Sequence, residues 1–350
     1  SHAPFGGNVV GIRAAALKYF NRRPEQLSWA EAALLAVLPN APALLYPGKN
    51  NTLLKQKRDG LLAKLYREGV MSEDSYHLAL AEPLPEKKFD IPTVAPHLLA
   101  KAYRERKGKV CPTYIDGRLQ KKINEIVERH TALLSQNYIY NMAVLVAHVP
   151  TGEVRAYVGN SAPRKGSRGN DVDIVQAVRS SGSILKPALY ACMLQSGFIL
   201  PGTLVPDIPS RFGSYSPSNF NRDFKGVVPA RQALAQSLNI PFVRLLKDYS
   251  YARFYDDLKQ LGIRSLNRDA DHYGLSLILG GAETSLWDIC NLYGGMSAVL
   301  NHYNDRDGQY FDGEYSRLKV WEEYSGAEGQ DEEEKKISAD RSVLKASAIW

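Results

Sequence analysis

The stretch that decides the fold is Arg179-Ser180-Ser181-Gly182-Ser183-Ile184-Leu185-Lys186-Pro187, followed directly by the apolar run Ala188-Leu189-Tyr190-Ala191-Cys192-Met193-Leu194. A glycine turn before a helix-forming run predicts that Ser183 lies at or just inside the N-terminus of a helix. Lys186 follows three residues later, a spacing that puts two side chains on the same helix face. We therefore expect a hydroxyl and an amine to meet at the start of this helix.

This pair of side chains suits nucleophilic catalysis. Serine becomes a good nucleophile when a base removes its proton, and a lysine kept neutral by burial or by a cationic neighbour can be that base. The N–H groups at a helix N-terminus favour the negative charge that then develops. Ser183 and Lys186 thus match the Ser-x-x-Lys pattern of serine acyl transfer, which Ser-x-Asn and Lys-Thr-Gly accompany.

Both short patterns also occur elsewhere in the chain. Two other Ser-x-x-Lys matches read as ordinary surface or helix residues: Ser316-Arg317-Leu318-Lys319 and Ser342-Val343-Leu344-Lys345. Ser-x-Asn occurs three times: Ser135-Gln136-Asn137, Ser237-Leu238-Asn239 and Ser265-Leu266-Asn267. Only Ser237 lies between two helical patterns, residues 229–236 and 242–246, where a short loop can aim a hydroxyl and an amide into a cleft. On these residues alone, a nucleophile at Ser183 and a chance match both stay open.

Composition excludes several classes of protein. The chain has 350 residues, 44% of them hydrophobic, which allows one large or two medium domains with buried cores. Its net charge of +7 is spread rather than clustered, which fits a solvated surface or a mild affinity for an anionic envelope, and no nucleic-acid-binding signature is present. Three distant cysteines and seven scattered histidines predict neither a disulfide framework nor a metal site.

The ends of the chain indicate part of a longer protein. The sequence begins at Ser1 without a methionine and ends at Trp350 within a helical-looking run, residues 342–349. It contains neither a signal peptide nor an apolar stretch of the roughly 18 residues that a membrane helix needs. We therefore expect any membrane anchor to lie outside this sequence.

The order of the elements predicts an α+β protein. Helical patterns cover residues 12–20, 30–37, 53–68 and 73–81, and Ser28 and Glu31 form a capping box before the second. Proline and charge are dense over residues 83–96, as at a domain boundary. An amphipathic helix over 113–134 precedes two strands, 143–149 and 153–158, which a Pro-Thr-Gly turn joins into a hairpin.

Three expectations concern the second half of the chain. Glu283 is expected to begin a helix that runs through Tyr293. For the preceding pair Gly280-Gly281, close backbone approach and simple packing both stay open. Residues 301–340 are polar and acidic, which is typical of a surface insertion.

The chain resembles the class A, bifunctional penicillin-binding proteins over essentially its whole length. The residues that carry the resemblance are residues 3–15, Glu31 to Pro39, Gly182 to Pro187, Pro206-Asp207-Ile208-Pro209, Tyr215 to Phe220, Ser237-Leu238-Asn239 and Leu277 to Glu283. The resemblance implies the end of a lysozyme-like, all-α family-51 glycosyltransferase domain (1–90), a linker (91–140) and a β-lactamase-like transpeptidase domain (141–350). In the second, helices flank an antiparallel sheet.

The resemblance also implies roles for four residues. Ser183 would attack the penultimate D-Ala carbonyl of a D-Ala-D-Ala stem peptide, with its own N–H as half of an oxyanion hole, and Lys186 would be the general base. Ser237 would relay a proton to the leaving amine, and Asn239 would hydrogen-bond the substrate.

The implied setting is the periplasmic face of a bacterial inner membrane, reached through an N-terminal anchor absent from this sequence. Stem peptides, lipid II and β-lactams are the implied partners, and neither nucleic acid nor any protein partner is implied. Transpeptidation needs no cofactor, whereas a divalent metal is conceivable only for the glycosyltransferase domain.

Two departures from the family limit what we expect of this chain. No Lys-Thr-Gly or Lys-Ser-Gly follows Asn239, and the acidic catalytic motifs of the glycosyltransferase lie upstream of Ser1 in the family. We therefore expect the fragment to perform neither reaction well. A D,D-carboxypeptidase or β-lactamase-like hydrolase, and a non-catalytic scaffold or β-lactam sensor, stay open as alternatives.

Overall fold

A computed structural model describes residues 3–6, 9–40, 42, 44–86, 88–90, 93–322 and 342–350, together with the backbone of 337–338. The chain divides into two compact units, Ser1–Thr93 and Val94–Trp350. Each unit has its own hydrophobic clusters. No helix in the described ranges is both long and apolar enough to cross a bilayer.

The described part of the first unit is helical, as the sequence predicts. Its helices are α1 (Ile12–Phe20), α2 (Trp29–Val37), α3 (Asn51–Arg67) and α4 (Glu73–Ala81). The predicted capping box is confirmed, because the Ser28 hydroxyl accepts from the Glu31 N–H (3.1 Å) and the Glu31 carboxylate accepts from the Ser28 N–H (2.9 Å). Local sequence patterns therefore fixed these helices to within a few residues.

One buried cation joins the helices of the first unit. The Arg58 side chain is almost fully buried, and it donates to the backbone oxygen of Glu82 (2.6 Å) and to the Asp59 carboxylate (2.9 Å). Burial alone would raise the pKa of Asp59, but hydrogen bonds from Lys55 and Arg58 outweigh it, so the pKa lies below its ordinary value. A buried charge is tolerated when it is paired in this way, so Arg58 links α3 to the end of α4.

The second unit mixes helices with short antiparallel strands. In chain order its elements are α5 (Pro96–Glu105), α6 (Gly117–Leu134), β1 (Val144–His148), β2 (Glu153–Val158), β3 (Arg179–Ser180), α7 (Lys186–Gln195), β4 (Leu204–Asp207), β5 (Gly226–Pro229), α8 (Ala230–Ala235), α9 (Asn239–Tyr249), α10 (Tyr251–Gln260), α11 (Ala270–Tyr273), β6 (Glu283–Thr284), α12 (Leu286–Asp305), β7 (Tyr310–Phe311), β8 (Ile337–Ser338) and α13 (Ala346–Ile349). The described strands pair as β1–β2, β3–β6, β4–β5 and β7–β8.

Several predictions for this unit can be compared with these elements. The hairpin is confirmed as β1–β2, with a register shift between Val146 and Ala147. The predicted helix start at Glu283 is wrong, because Glu283 lies in β6 and the helix begins at Leu286, capped by the Ser285 hydroxyl. The helical-looking run over 342–349 is helical only in α13. Of the predicted insertion, residues 301–305 belong to α12, and 323–336 and 339–341 lie outside the described residues.

The main core of this unit places the two helices that matter for the site. Helices α7 and α9 bury their apolar faces in one cluster, which includes Leu189, Cys192, Phe242 and Leu246. Burying each such side chain contributes roughly 1.5–3 kcal/mol. This shared core holds the N-terminal end of α7 close to that of α9.

Candidate active site

Ser183 lies in a tight turn just before α7. The helix begins at Lys186, so the expectation that Ser183 is at or inside the helix end is corrected by three residues. Backbone hydrogen bonds form the turn, from the Lys186 N–H to the Ser183 oxygen (3.1 Å) and from the Ile184 N–H to the Ser181 oxygen (3.2 Å). Gly182 has a φ of +55°, which a residue with a Cβ rarely adopts.

The segment around β6 supports this turn through its backbone. Ser180 in β3 pairs with Glu283 in β6, and the Ser181 N–H donates to the Ala282 oxygen (3.0 Å). A Cβ on Gly280 would lie 2.5 Å from the Ser180 hydroxyl oxygen and 2.8 Å from the Gly182 nitrogen. The structure therefore resolves the two readings of this glycine in favour of close backbone approach.

The Ser183 side chain is half-buried, and its polar groups are available to a ligand. Among the described residues, neither its hydroxyl nor its backbone N–H has a hydrogen-bond partner. On the next residue, the Ile184 oxygen accepts a 2.6 Å bond from the Tyr293 hydroxyl of α12. The turn is thus fixed while the serine hydroxyl and N–H stay free for a ligand.

Lys186 is the most constrained side chain of the site, with 1% of its surface exposed. Its Nζ donates to the Ser237 backbone oxygen (2.8 Å), to the Ser237 hydroxyl (3.3 Å) and to the Asn239 Oδ1 (2.8 Å). It also lies 5.5 Å from the centre of the Phe242 ring. Within the described residues no hydrogen bond joins it to the Ser183 hydroxyl, so the expected direct contact is replaced by contacts with the second motif.

Burial lowers the pKa of Lys186 to about 8. The physical cause is that a buried ammonium loses its hydration, which disfavours the charged form. No carboxylate in the described ranges forms an ion pair with Lys186 that would oppose this effect. A sizeable fraction of the amine is therefore neutral near pH 8 and able to accept a proton.

Ser237 and Asn239 lie where α8 gives way to α9, as the sequence predicts. Ser237 has a φ of +50°, a left-handed conformation that costs a non-glycine residue of order 1–3 kcal/mol. In that conformation both the backbone oxygen and the hydroxyl oxygen of Ser237 accept hydrogen bonds from the Lys186 Nζ. Asn239 is the first residue of α9. The structure thus brings Lys186, Ser237 and Asn239 together beside the Ser183 turn.

The competing motifs do not assemble in this way. The Ser135 hydroxyl donates to the Ala132 oxygen in a turn after α6, and the Ser265 hydroxyl to Thr284. Ser316 and Ser342 bond to nearby backbone oxygens, of Gly313 and Leu344. In the described structure none of these serines contacts a buried lysine.

Sequence reasoning missed three residues that hold Asn239. The Asn239 Nδ2 donates to the Ser218 oxygen (2.9 Å), and the Asn219 Oδ1 accepts from the Asn239 N–H (2.9 Å). Asn219 in turn donates to the buried Asp207 carboxylate (2.7 Å). The segments around these residues stood out only as marks of a family resemblance, because no local pattern links them to Asn239.

The arrangement of the Ser183 turn, Lys186, Ser237 and Asn239 fits acyl transfer. A free hydroxyl and N–H lie one turn from a buried amine of lowered pKa, which are the parts of a serine nucleophile, an oxyanion donor and a base. In the described ranges, no group of three or more His, Cys, Asp or Glu side chains could hold a metal ion. The described residues of the first unit therefore provide no ligand set for the divalent ion that the resemblance allows in a glycosyltransferase domain.

Two family models match the chain. Residues 1–66 match the model described as "Transglycosylase", and residues 142–297 match the "Penicillin binding protein transpeptidase domain". The second match includes Ser183, Lys186, Ser237 and Asn239. The two matches occur in the order that the resemblance implies.

Curated relatives and solved structures agree with these matches. The chain is 34% identical to penicillin-binding protein 1C of Escherichia coli (strain K12), over 84% of this chain and 38% of that protein. It is 27% identical to penicillin-binding protein 1F of Bacillus subtilis (strain 168), over 80% of this chain and 40% of that protein. The chain thus spans about two fifths of the length of these relatives.

The fold is also similar to that of a solved structure. The crystal structure of penicillin-binding protein 1A from Haemophilus influenzae matches with a TM-score of 0.54 at 17% identity, covering 85% of this chain and 60% of that one. At this identity the likeness concerns the fold alone.

Proposed function

The chain belongs to the class A penicillin-binding proteins, and on that premise we propose that its second unit is a serine acyltransferase that cross-links D-Ala-D-Ala stem peptides of peptidoglycan. Ser183 is the nucleophile, Lys186 the general base, Ser237 a proton relay and Asn239 a substrate-binding residue. The observation that carries this proposal is the buried Lys186 amine, held by Ser237 and Asn239 one turn after a serine hydroxyl that has no partner among the described residues.

The first half of the reaction forms an acyl-enzyme. Ser183 Oγ bonds to the carbonyl carbon of the penultimate D-Ala while Lys186 takes the hydroxyl proton. The free Ser183 N–H donates to the oxygen that becomes negative, and removing one such donor typically costs about 3–4 kcal/mol of transition-state stabilisation. The proton then passes through the Ser237 hydroxyl to the peptide nitrogen, the C–N bond breaks, and D-Ala leaves as an amine.

The second half transfers the acyl group. The amine of a neighbouring stem peptide attacks the ester carbon and loses its proton to the neutral lysine, and Ser183 leaves with a proton restored to its oxygen. One N–H of the Asn239 amide is engaged by Ser218, which leaves the other for the peptide of a substrate. A β-lactam would enter by the first half alone and remain on the serine.

The match over residues 1–66 supports a second activity for the whole protein. We propose that it also polymerises glycan strands from lipid II, at the periplasmic face of a bacterial inner membrane to which it is anchored. No catalytic residue of that reaction is assigned here, because the acidic motifs of the family have no counterpart in this sequence.

Labelling with a fluorescent penicillin tests the assignment of the nucleophile. We expect a one-to-one covalent adduct on the protein expressed from its full reading frame, and none on Ser183→Ala. Ser316→Ala is the matched control, because Ser316 begins another Ser-x-x-Lys and should label like the wild type. An adduct that persists in Ser183→Ala would reject the assignment, and a folded protein without any adduct would favour the scaffold or sensor.

Product analysis separates transfer from hydrolysis. A D-Ala-D-Ala peptide is incubated with and without an added D-amino acid as acceptor amine. A new amide product in the presence of the amine supports the transpeptidase. Free D-Ala with only the shortened acid, whatever the amine concentration, would instead identify a D,D-carboxypeptidase.

A further inference from the structure

Helix α9, which carries Asn239 at its first position, cannot cap its own N-terminus. The first N–H groups of any α-helix lack partners within the helix, and a polar side chain at the preceding residue usually supplies one. Here that residue is Leu238, which has no polar side-chain atom. Pro241 removes one of these N–H groups, so those of Asn239 and Ile240 need an acceptor from elsewhere.

Asn219 supplies that acceptor from twenty residues earlier in the chain. Its Oδ1 accepts from the Asn239 N–H (2.9 Å) and from the Ile240 N–H (3.3 Å). The Asn219 side chain is buried, with 3% of its surface exposed. It therefore acts as a remote cap of the helix that begins with the Ser-x-Asn motif.

A fully buried carboxylate holds Asn219 in place. The Asn219 Nδ2 donates to the Asp207 Oδ1 (2.7 Å) and to the Asp223 backbone oxygen (2.9 Å). The other Asp207 oxygen accepts from the Lys225 N–H (3.0 Å), next to the β4–β5 pairing of Asp207 with Gly226. Among the described residues Asp207 forms no ion pair, and these hydrogen bonds satisfy its buried carboxyl oxygens.

The same loop fixes which way the Asn239 amide faces. Its NH2 group is engaged by the Ser218 oxygen (2.9 Å), so its oxygen faces the Lys186 Nζ (2.8 Å). Residues 218 and 219 thus hold both the backbone and the side chain of Asn239. A continuous series of hydrogen bonds runs from the Asp207 carboxylate through Asn219 and Asn239 to Lys186.

We propose that Asn219, oriented by Asp207, is a positioning residue of the acyl-transfer site, which caps α9 and keeps the Asn239 oxygen on the Lys186 amine. The consequence for catalysis depends on the proposed function of this site, whereas the consequence for Lys186 does not. The two can therefore be tested separately.

The pKa of Lys186 is the readout that does not depend on catalysis. It can be measured by NMR of the protein with ¹³Cε-labelled lysine, the signal being assigned by its loss in Lys186→Met. An acceptor on a lysine favours its charged form, so loss of the Asn239 oxygen in Asn219→Ala should lower this pKa, by about half a unit or more. Ser216→Ala, at an exposed position of the same loop whose side chain has no hydrogen-bond partner among the described residues, should leave it unchanged.

Other results of this titration would overturn the proposal. An unchanged pKa in Asn219→Ala would mean that Asn219 does not control the contacts of Lys186. A pKa that rises towards 10.5 would mean that Asn219 only keeps water out of a buried site.

A swap of the two side chains tests the pairing itself and guards against a variant that fails to fold. In Asn219→Asp two carboxylates face each other, and we expect the penicillin-labelling rate to fall by about tenfold or more. The double variant Asp207→Asn/Asn219→Asp restores an amide donor facing a carboxylate acceptor and should recover part of that rate, because the Asp223 backbone oxygen still loses its donor from residue 219. A double variant that labels no faster than Asn219→Asp would contradict the proposal.

The two hypotheses fail in distinguishable ways. If the wild type takes no penicillin but the pKa of Lys186 falls in Asn219→Ala as expected, the acyltransferase is wrong and the positioning role stands. If the wild type is labelled and that pKa does not respond, the positioning role is wrong and the acyltransferase stands.

Discussion

Two turns build the site, one at Ser183 and one at Ser237. Each carries a serine, but different contacts hold the two turns in place. The Ser183 turn is fastened mainly through backbone contacts, namely the β3–β6 pairing and the approach of Gly280. The Ser237 turn has backbone hydrogen bonds to Leu234 and Ala233, and two side chains from distant segments hold it as well: Asn219 caps the helix after it, and Lys186 donates to its oxygens. Within the described structure the Ser183 hydroxyl has no hydrogen-bond partner, whereas the Ser237 hydroxyl contacts a buried amine.

This difference fits the two roles that we propose for these serines, a nucleophile at Ser183 and a proton relay at Ser237. A nucleophile must be fixed in position while its oxygen stays free, and a backbone scaffold provides this without using the side chain. A relay must stay in contact with the base, which the contact of the Ser237 hydroxyl with Lys186 provides. Changing one contact or group of these two turns at a time tests the difference between them.

Replacing Lys186 should have the largest effect. In Lys186→Met the buried volume is kept but the base is lost, and general-base catalysis typically contributes 10²–10⁴-fold. We expect the penicillin-acylation rate to fall by that factor in stopped-time labelling. Lys345→Met, at the exposed lysine of the Ser-x-x-Lys near the C-terminus, should retain the wild-type rate; a similar loss there would undermine the comparison.

The acylation rate should also depend on pH through Lys186. The base must be neutral, and its pKa is lowered to about 8, so the rate should rise about tenfold per pH unit below 8 and level off above about 9. The measurement is the labelling rate from pH 6 to 10 at constant ionic strength. A rate that is flat across this range would show that Lys186 does not gain a proton in the step that limits acylation.

Gly280→Ala should damage the backbone scaffold of the Ser183 turn. The new Cβ would lie within 3 Å of Ser180 and Gly182 atoms, and the φ of +99° is unfavourable for alanine. We expect a loss of about 1–3 kcal/mol in the free energy of unfolding, from urea denaturation, together with slower labelling. Gly202→Ala, where a Cβ meets nothing within 4 Å, should change stability by no more than about 0.5 kcal/mol.

Ser237→Gly should have the smallest effect on the free energy of unfolding. It therefore shows whether the labelling rate depends on the hydroxyl when stability hardly changes. Glycine adopts the φ of +50° without strain, which offsets the lost Lys186 contact and the greater freedom of glycine in the unfolded chain, so the free energy of unfolding should change by no more than about 1 kcal/mol. The hydroxyl proposed as the relay is lost, so labelling should slow although stability is nearly unchanged. Equal labelling of this variant and the wild type would remove Ser237 from the reaction.

Local patterns in the sequence predicted most elements and both motifs. The helices of the first unit and the β1–β2 hairpin follow from caps, periodicity and turn residues that lie within a few positions of one another. The choice of Ser237 over two other Ser-x-Asn triplets followed from its place between two helical segments. The Ser237 hydroxyl contacts Lys186, and its role in the reaction stays a prediction.

Contacts between distant segments were not predictable in this way. Strand β6 has two residues, too few for a periodic pattern, and it exists because it pairs with residues about a hundred positions earlier. The partners of Lys186 are about fifty residues away, and the expected direct bond to Ser183 gave way to them. The segment around Asn219 stood out only through the family resemblance, and its contact with Asn239 could not be predicted, since only the fold brings its amide to the start of α9.

Tandem mass spectrometry of the penicillin adduct tests the central claim most directly, because it locates the acyl group on a single residue. The protein is labelled, digested, and its serine-containing peptides are fragmented. We predict one acyl group, on Ser183, at all labelling times. An acyl group on Ser237 or on any other residue, while Ser183 stays unmodified in the folded protein, would contradict the account.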